Sequence, residues 1–241
     1  MISGNMLITN PKLKSTVAES YKILRTNIQF SSLDKQLKVL LITSPGATEG
    51  KSTTASNLAI AMAQTDKKVL LIDCDLRKPS IHRVFGLVNE RGLSNVLVEG
   101  LDYHRISHMV NVPNLEVLTS GPNPPNPPEL LGSARMRDFI SKVKEDFDTV
   151  ILDAPPVLPV TDSVILSTLA DGVVFILSHG KTQFNMAVQA KQTMEKVESS
   201  ARIIGTVINN IPSSHSYGYD YYYYYSDEDH TSRKRSRRRK K

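Results

Sequence analysis

No disulfide can form within this chain, because Cys74 is its only cysteine, and that points to a reducing compartment. Long apolar runs are missing as well. No stretch approaches the roughly 18 residues that a membrane span needs, and the N-terminus carries no secretory-signal pattern. The expectation is a cytoplasmic protein; if it works at a membrane, another molecule holds it there. Aromatic residues are scarce, at 6% of 241 residues, and unevenly spread: seven of the nine tyrosines lie between Tyr217 and Tyr225. The body of the chain also lacks a net positive charge. The formal charge is +6, from 30 Lys/Arg against 24 Asp/Glu. Eight of those basic residues follow Ser232, and without them the remainder carries about −2. Basicity is therefore a property of the terminus. It argues for a peripheral electrostatic contact, such as an anionic lipid surface, and no nucleic acid partner is expected.

What is present is a regular alternation of elements. Apolar segments of strand length recur at Val39–Thr43, Val69–Asp73, Leu115–Leu118, Thr149–Asp153, Val173–Ser178 and Ile203–Ile208. Several are continuous rather than alternating, which suits strands covered on both faces. Helical patterns lie between them, at Thr53–Ala63, Ala134–Lys144, Asp162–Leu169 and Phe184–Val197. This order predicts an α/β fold with a doubly wound, mostly parallel sheet. Ligands in such sheets bind beyond the carboxyl ends of the strands. The proline-rich GPNPPNPPELL (Gly121–Leu131) reads as a rigid surface loop. Beyond Pro212 aliphatic residues are few, so a disordered tail is expected. The predicted organisation is an N-terminal helical segment (1–36), a core domain (37–211) and a tyrosine-rich, basic tail (212–241).

Three strand ends carry the chemistry. SPGATEGKSTT (Ser44–Thr54) follows the first strand and opens a helix. Its Gly50-Lys51-Ser52 closes a Walker A loop, which is a phosphate cradle. Gly50 lets backbone N–H groups turn toward phosphate oxygens, and the helix adds its partly positive N-terminus. Lys51 is suited to the β- and γ-phosphates and the Ser52 hydroxyl to magnesium. Gly46, Ala47, Thr48, Glu49 and Thr53 complete the expected ATP-binding segment. Pro45 stands where the motif has its first glycine, but no phosphate-contacting group is lost. The second strand ends VLLIDCDLRKPS, with Asp73 and Asp75 as candidates for metal support and for a base. Cys74 between them would face the other way and pack. The third ends TVILDAPP, and its Asp153 has the Walker B position near magnesium.

These motifs in this order resemble the bacterial tyrosine kinase family, which is related to MinD/ParA-like P-loop ATPases. The resemblance extends to the NPPELL segment and to ESYKILRTNIQF (Glu19–Phe30), similar to a Glu-x-x-Arg-x-x-Arg subunit-contact motif. Glu19 and Arg25 match it, and Lys22 stands at its middle position, where it keeps the charge but loses the bidentate fork. The other reading of that segment is an amphipathic helix packed on its own body.

The resemblance implies an ATP- and Mg2+-dependent protein-tyrosine kinase. Lys51, Asp73, Asp75 and Asp153 would be its catalytic residues, with Ser52, Asp75 and Asp153 toward the metal and Asn209 as a nucleotide contact. It implies autophosphorylation on Tyr217, Tyr219, Tyr221, Tyr222, Tyr223, Tyr224 and Tyr225, between subunits of a homo-oligomeric ring. The partners implied are a separate transmembrane activator, a cognate tyrosine phosphatase and polysaccharide-biosynthesis proteins as substrates. The setting would be the inner face of the membrane, in capsule or exopolysaccharide synthesis. Two other readings remain: a positioning ATPase, and a non-catalytic assembly adaptor. The first normally carries an extra lysine four residues before the final loop glycine, a position held here by Gly46.

Overall fold

In the computed structural model, residues 7–10, 15–31, 37–197 and 201–212 are described. The tyrosine cluster, the terminal basic run and parts of the 1–36 and 212–241 segments lie outside them. Residues up to Asn209 belong to one compact unit. Its centre is a seven-stranded sheet of β1 (Val39–Thr43), β2 (Val69–Asp73), β3 (His108–Met109), β4 (Leu115–Leu118), β5 (Thr149–Asp153), β6 (Gly172–Ser178) and β7 (Ile203–Asn209). The strand order is β3-β4-β2-β5-β1-β6-β7. All neighbours are parallel except β3, which runs antiparallel to β4 at one edge.

The continuous aliphatic runs are explained by burial on both sides. Every residue of β1, β2 and β5 is buried, and successive side chains alternate between two cores. Leu41, Leu70, Ile72 and Leu152 face one core, where they meet Phe139, Ile140, Leu166 and Met194. Leu40, Ile42, Leu71 and Ile151 face the other, packed on Leu58, Ala59, Ile81 and Val84. Each such side chain contributes about 1.5–3 kcal/mol by leaving water. Cys74 lies in the first core and is fully buried, as its position between two strand-end carboxylates predicts.

Helices cover both faces. They are α1 (Ser15–Phe30), α2 (Lys51–Ala63), α3 (Ile81–Phe85), α4 (Leu93–Glu99), α5 (Pro127–Leu131), α6 (Ala134–Asp146), α7 (Asp162–Ser167) and α8 (Phe184–Glu195). The four helices expected between strands are present with ends shifted by two residues or fewer, the ordinary scatter of helix boundaries. One reading needs correction. Gly121–Leu131 is not all loop, because its last five residues form α5, with prolines in the first turn and Leu131 buried. Proline there forfeits only an N–H that would have had no partner within the helix, so it starts a helix it could not continue. The amphipathic α1 packs along α2, where Arg25 donates to the Ala61 carbonyl at 2.8 Å.

Candidate active site

The loop between β1 and α2 makes an unusually complete set of contacts. Gly50 caps α2 at φ 94°, a left-handed conformation that favours glycine. A Cβ there would lie 1.9 Å from Asn209 Nδ2. That nitrogen donates to the Glu49 carbonyl at 3.1 Å, which seats Asn209 on the loop's backbone. Lys51 is buried in the first turn of α2, at the helix's positive end. The buried Glu49 carboxylate accepts from the Gly46 N–H at 3.1 Å and from the Thr182 hydroxyl at 2.6 Å.

β2 and β5 are neighbours, and Asp73 stands directly opposite Asp153 in their register. Both are fully buried. Asp73 Oδ2 accepts from the Ser80 and Ile81 amides, each at 2.9 Å, and Oδ1 accepts from the Asp75 amide at 3.2 Å. Burial, the Asp153 charge opposite and the nearby Asp75 push its proton affinity up to about 8 against those amides. Asp153 lacks such backbone donors: among the described residues neither oxygen meets strict hydrogen-bond geometry, and the Ser52 hydroxyl is the side-chain donor set against it. Burial raises it to about 6, opposed first by the Lys51 charge and then by the Ser52 hydroxyl. As a pair facing each other without solvent, the two carboxyls cannot both hold full charge comfortably. Asp75 is almost fully buried and accepts from the Lys78 amide at 3.0 Å.

A buried carboxylate without a well-formed hydrogen bond is costly, and Asp153 has the Lys51 cation and the Ser52 hydroxyl acting on it. That donor set fits a Mg2+-nucleotide. Magnesium takes one or two protein carboxylates or hydroxyls together with phosphate oxygens and water, and Ser52, Asp153 and Asp75 can supply them. The loop amides and Lys51 fit phosphate.

Arg77 crosses to α7 and binds Asp162 through two hydrogen bonds, Nε–Oδ2 at 2.9 Å and Nη2–Oδ1 at 3.1 Å. The Asp162 side chain is fully buried and Arg77 is partly open. The pair ties the loop after β2 to the segment after β5, holding two acidic strand ends in one frame. Substituting Arg77→Ala should destabilise the chain by about 2–4 kcal/mol, mainly by stranding the Asp162 charge. Chemical denaturation checks this, and Asp162→Asn in the same background should recover part of the loss.

The proposed subunit-contact residues lie away from this site. Glu19 and Lys22 form an exposed ion pair at 3.0 Å on α1, and Arg25 is held at the far end of α2. Sequence reasoning missed Lys181 and Thr182, which follow β6 and grip the phosphate loop. Their only signal is position, at the carboxyl end of a parallel strand.

A parallel sheet with a phosphate loop after β1 and acidic residues at the ends of the adjacent pair β5 and β2 defines a P-loop nucleotide-binding protein. Consistent with that class, the AAA domain family matches residues 38–205. The relatives are more specific. The chain is 46% identical over 213 residues to tyrosine-protein kinase YwqD of Bacillus subtilis, covering 88% of each chain. The structure of the chimerical protein CapA2B2 matches with a TM-score of 0.82 at 35% identity, over 87% of this chain and 91% of that one. The kinase domain of Escherichia coli tyrosine kinase ETK matches with a TM-score of 0.78 at 30% identity, over 83% and 77%. The chain belongs to the bacterial tyrosine-protein kinase family.

Proposed function

We propose that this protein transfers the γ-phosphoryl group of ATP to tyrosines of its own C-terminal cluster, Tyr217, Tyr219 and Tyr221–Tyr225, on a neighbouring subunit. The observation that carries this reading is Asp153: a fully buried carboxylate set beside the Lys51 cation and the Ser52 hydroxyl and in register with Asp73. Lys51 and the loop amides bind and orient the β- and γ-phosphates. Ser52 and Asp153 hold the metal, with Asp75 in support; magnesium, when bound, neutralises charge building on the transferred group. Asp73 takes the phenolic proton. To do so it must be ionised: in the empty site burial and the facing Asp153 favour its protonated form up to about 8, and the charge of magnesium bound beside Asp153 and Asp75 would favour the ionised one.

Each transferred phosphate adds about −1.5 to −2 of charge, so a modified tail is repelled from a site already rich in carboxylates. Asn209, seated on the loop, contributes to nucleotide binding. Glu19, Lys22 and Arg25 line the contact between subunits, in a ring. A separate membrane-spanning activator holds the protein at the inner face of the membrane. This fits the finding that, among the described residues, no helix is long and apolar enough to cross one. A tyrosine phosphatase reverses the reaction, polysaccharide-biosynthesis proteins are further substrates, and the terminal basic run contacts anionic lipid.

Incubating the purified protein and its activator with Mg-ATP, followed by phosphotyrosine blotting, tests the reading. Strong labelling is expected, with Lys51→Met reduced by at least about 100-fold. ATP hydrolysis without phosphotyrosine would sink it in favour of a positioning ATPase.

A further inference from the structure

Four consecutive carbonyls of the phosphate loop are each held by a side-chain donor. Ser44 Oγ donates to the Gly46 carbonyl at 2.6 Å. Lys181 Nζ donates to the Ala47 carbonyl at 2.8 Å and to the Thr48 carbonyl at 3.2 Å, and it also bonds the Thr48 hydroxyl. Asn209 Nδ2 donates to the Glu49 carbonyl at 3.1 Å. Thr182, next to Lys181, bonds the Glu49 carboxylate and accepts from the Ser178 amide at 2.8 Å. Apart from Ser44, these groups arrive from the ends of β6 and β7, more than a hundred residues away in sequence.

The physical consequence concerns the other side of each peptide. A peptide whose carbonyl is fixed on one side presents its neighbouring N–H toward the opposite side. A cation on the carbonyl oxygen also polarises the amide, which makes the N–H a better donor to an anion. Thr48 sits at φ 58°, a conformation that costs a non-glycine residue about 1–3 kcal/mol and needs surrounding contacts to hold it. Lys181 supplies three of those contacts.

We infer that Lys181 is a positioning residue for nucleotide binding. It holds the carbonyl edge of the phosphate loop so that the amide edge is ready for phosphate before nucleotide arrives. It does so from the loop following β6, with Thr182 fixing Glu49 beside it. This rests on the reading of residues 46–53 as the ATP site and adds to it a group that the loop's own motif does not contain. Lys181 is itself exposed, so replacing it removes the brace without opening the core.

The test uses the full chain and fluorescent ATP and ADP analogues with Mg2+. Lys181→Met is expected to raise both dissociation constants about tenfold, the loss anticipated for charge-assisted hydrogen bonds. Lys181→Arg, which keeps a cation and donors, should stay within about threefold of the parent. Thr182→Val should weaken binding by a smaller factor than Lys181→Met. In the kinase assay with activator, Lys181→Met should raise KM for ATP while kcat at saturation changes little, because the brace acts on binding and not on the transferred group. Unfolding temperatures of the nucleotide-free variants should stay within a few degrees of the parent. Parental affinity in Lys181→Met would overturn the inference and leave the ATP site standing. Failure of Lys181→Arg to recover binding would overturn the charge-based account. A parent chain that binds neither nucleotide would remove both readings together.

Discussion

Asp153→Asn should all but abolish phosphotyrosine formation and at the same time raise the unfolding temperature of the nucleotide-free chain. The loss follows from removing a metal-facing carboxylate, worth several kcal/mol of charge stabilisation, or about 10³-fold in rate. The gain follows from burial. Asp153 is sealed from solvent with no backbone donor on it among the described residues, facing Asp73 across a strand pair. Neutralising it removes both a desolvated charge and a like-charge contact, by about 1–3 kcal/mol, which should appear as a rise of several degrees.

The gain should depend on pH in a defined direction. The ordinary carboxyl value is 3.8, whereas burial lifts Asp73 to about 8 and Asp153 to about 6. Between these values the folded chain holds protons that the unfolded chain has released. Its stability must therefore fall as pH rises from about 4 to 8. Asp153→Asn should flatten that slope, with its advantage largest near pH 8 and vanishing near pH 4. Calorimetry across this range checks it; a parent chain that becomes more stable toward pH 8, in the absence of nucleotide, would contradict the account of the pair.

The second large effect belongs to Gly50. Alanine at this position meets two separate obstacles: a left-handed backbone at φ 94°, and Asn209 Nδ2 at 1.9 Å from the new Cβ. To fit, Asn209 must release the Glu49 carbonyl, and the loop must abandon the geometry that starts α2. Nucleotide affinity should drop by about 100-fold, since about 3 kcal/mol of backbone strain and lost bonding is at stake. Adding Asn209→Ala should relieve the collision but not the backbone strain, so the double variant should recover only part of the affinity. Fluorescent-nucleotide titration distinguishes the outcomes, and near-parental binding by Gly50→Ala would refute the cradle geometry.

The legibility of this molecule in its sequence follows from how each element earns its stability. Six strands could be read as apolar runs; burial on both faces makes those of β1, β2 and β5 unbroken, whereas β7 is readable although none of its residues is fully buried. Two-residue β3 offers no run at all; it exists because its edge position pairs it with β4. Helices α3 and α5, of five residues each, are too short for a 3.6-residue period to register. In α5, proline content suggested loop because the distinction between first turn and interior is invisible without knowing where the turn begins. The site divides in the same way. Lys51, Asp73, Asp75 and Asp153 announce themselves because each follows a strand within a compact motif. Lys181, Thr182 and Asp162 act on those motifs from distant segments, and no local pattern records a contact that only the sheet order creates.

That sheet order has a bearing on how the family can vary. Because β5 inserts between β1 and β2, the strand ends that carry Asp153 and Asp73 are locked side by side by backbone pairing alone. The chain makes its whole excursion through α3, α4, α5 and α6 before returning to that slot. Loops on this excursion can therefore lengthen, shorten or acquire new docking features without shifting the spacing of the two carboxyls. Diversity in what such proteins touch can accumulate there while the phosphate chemistry stays fixed.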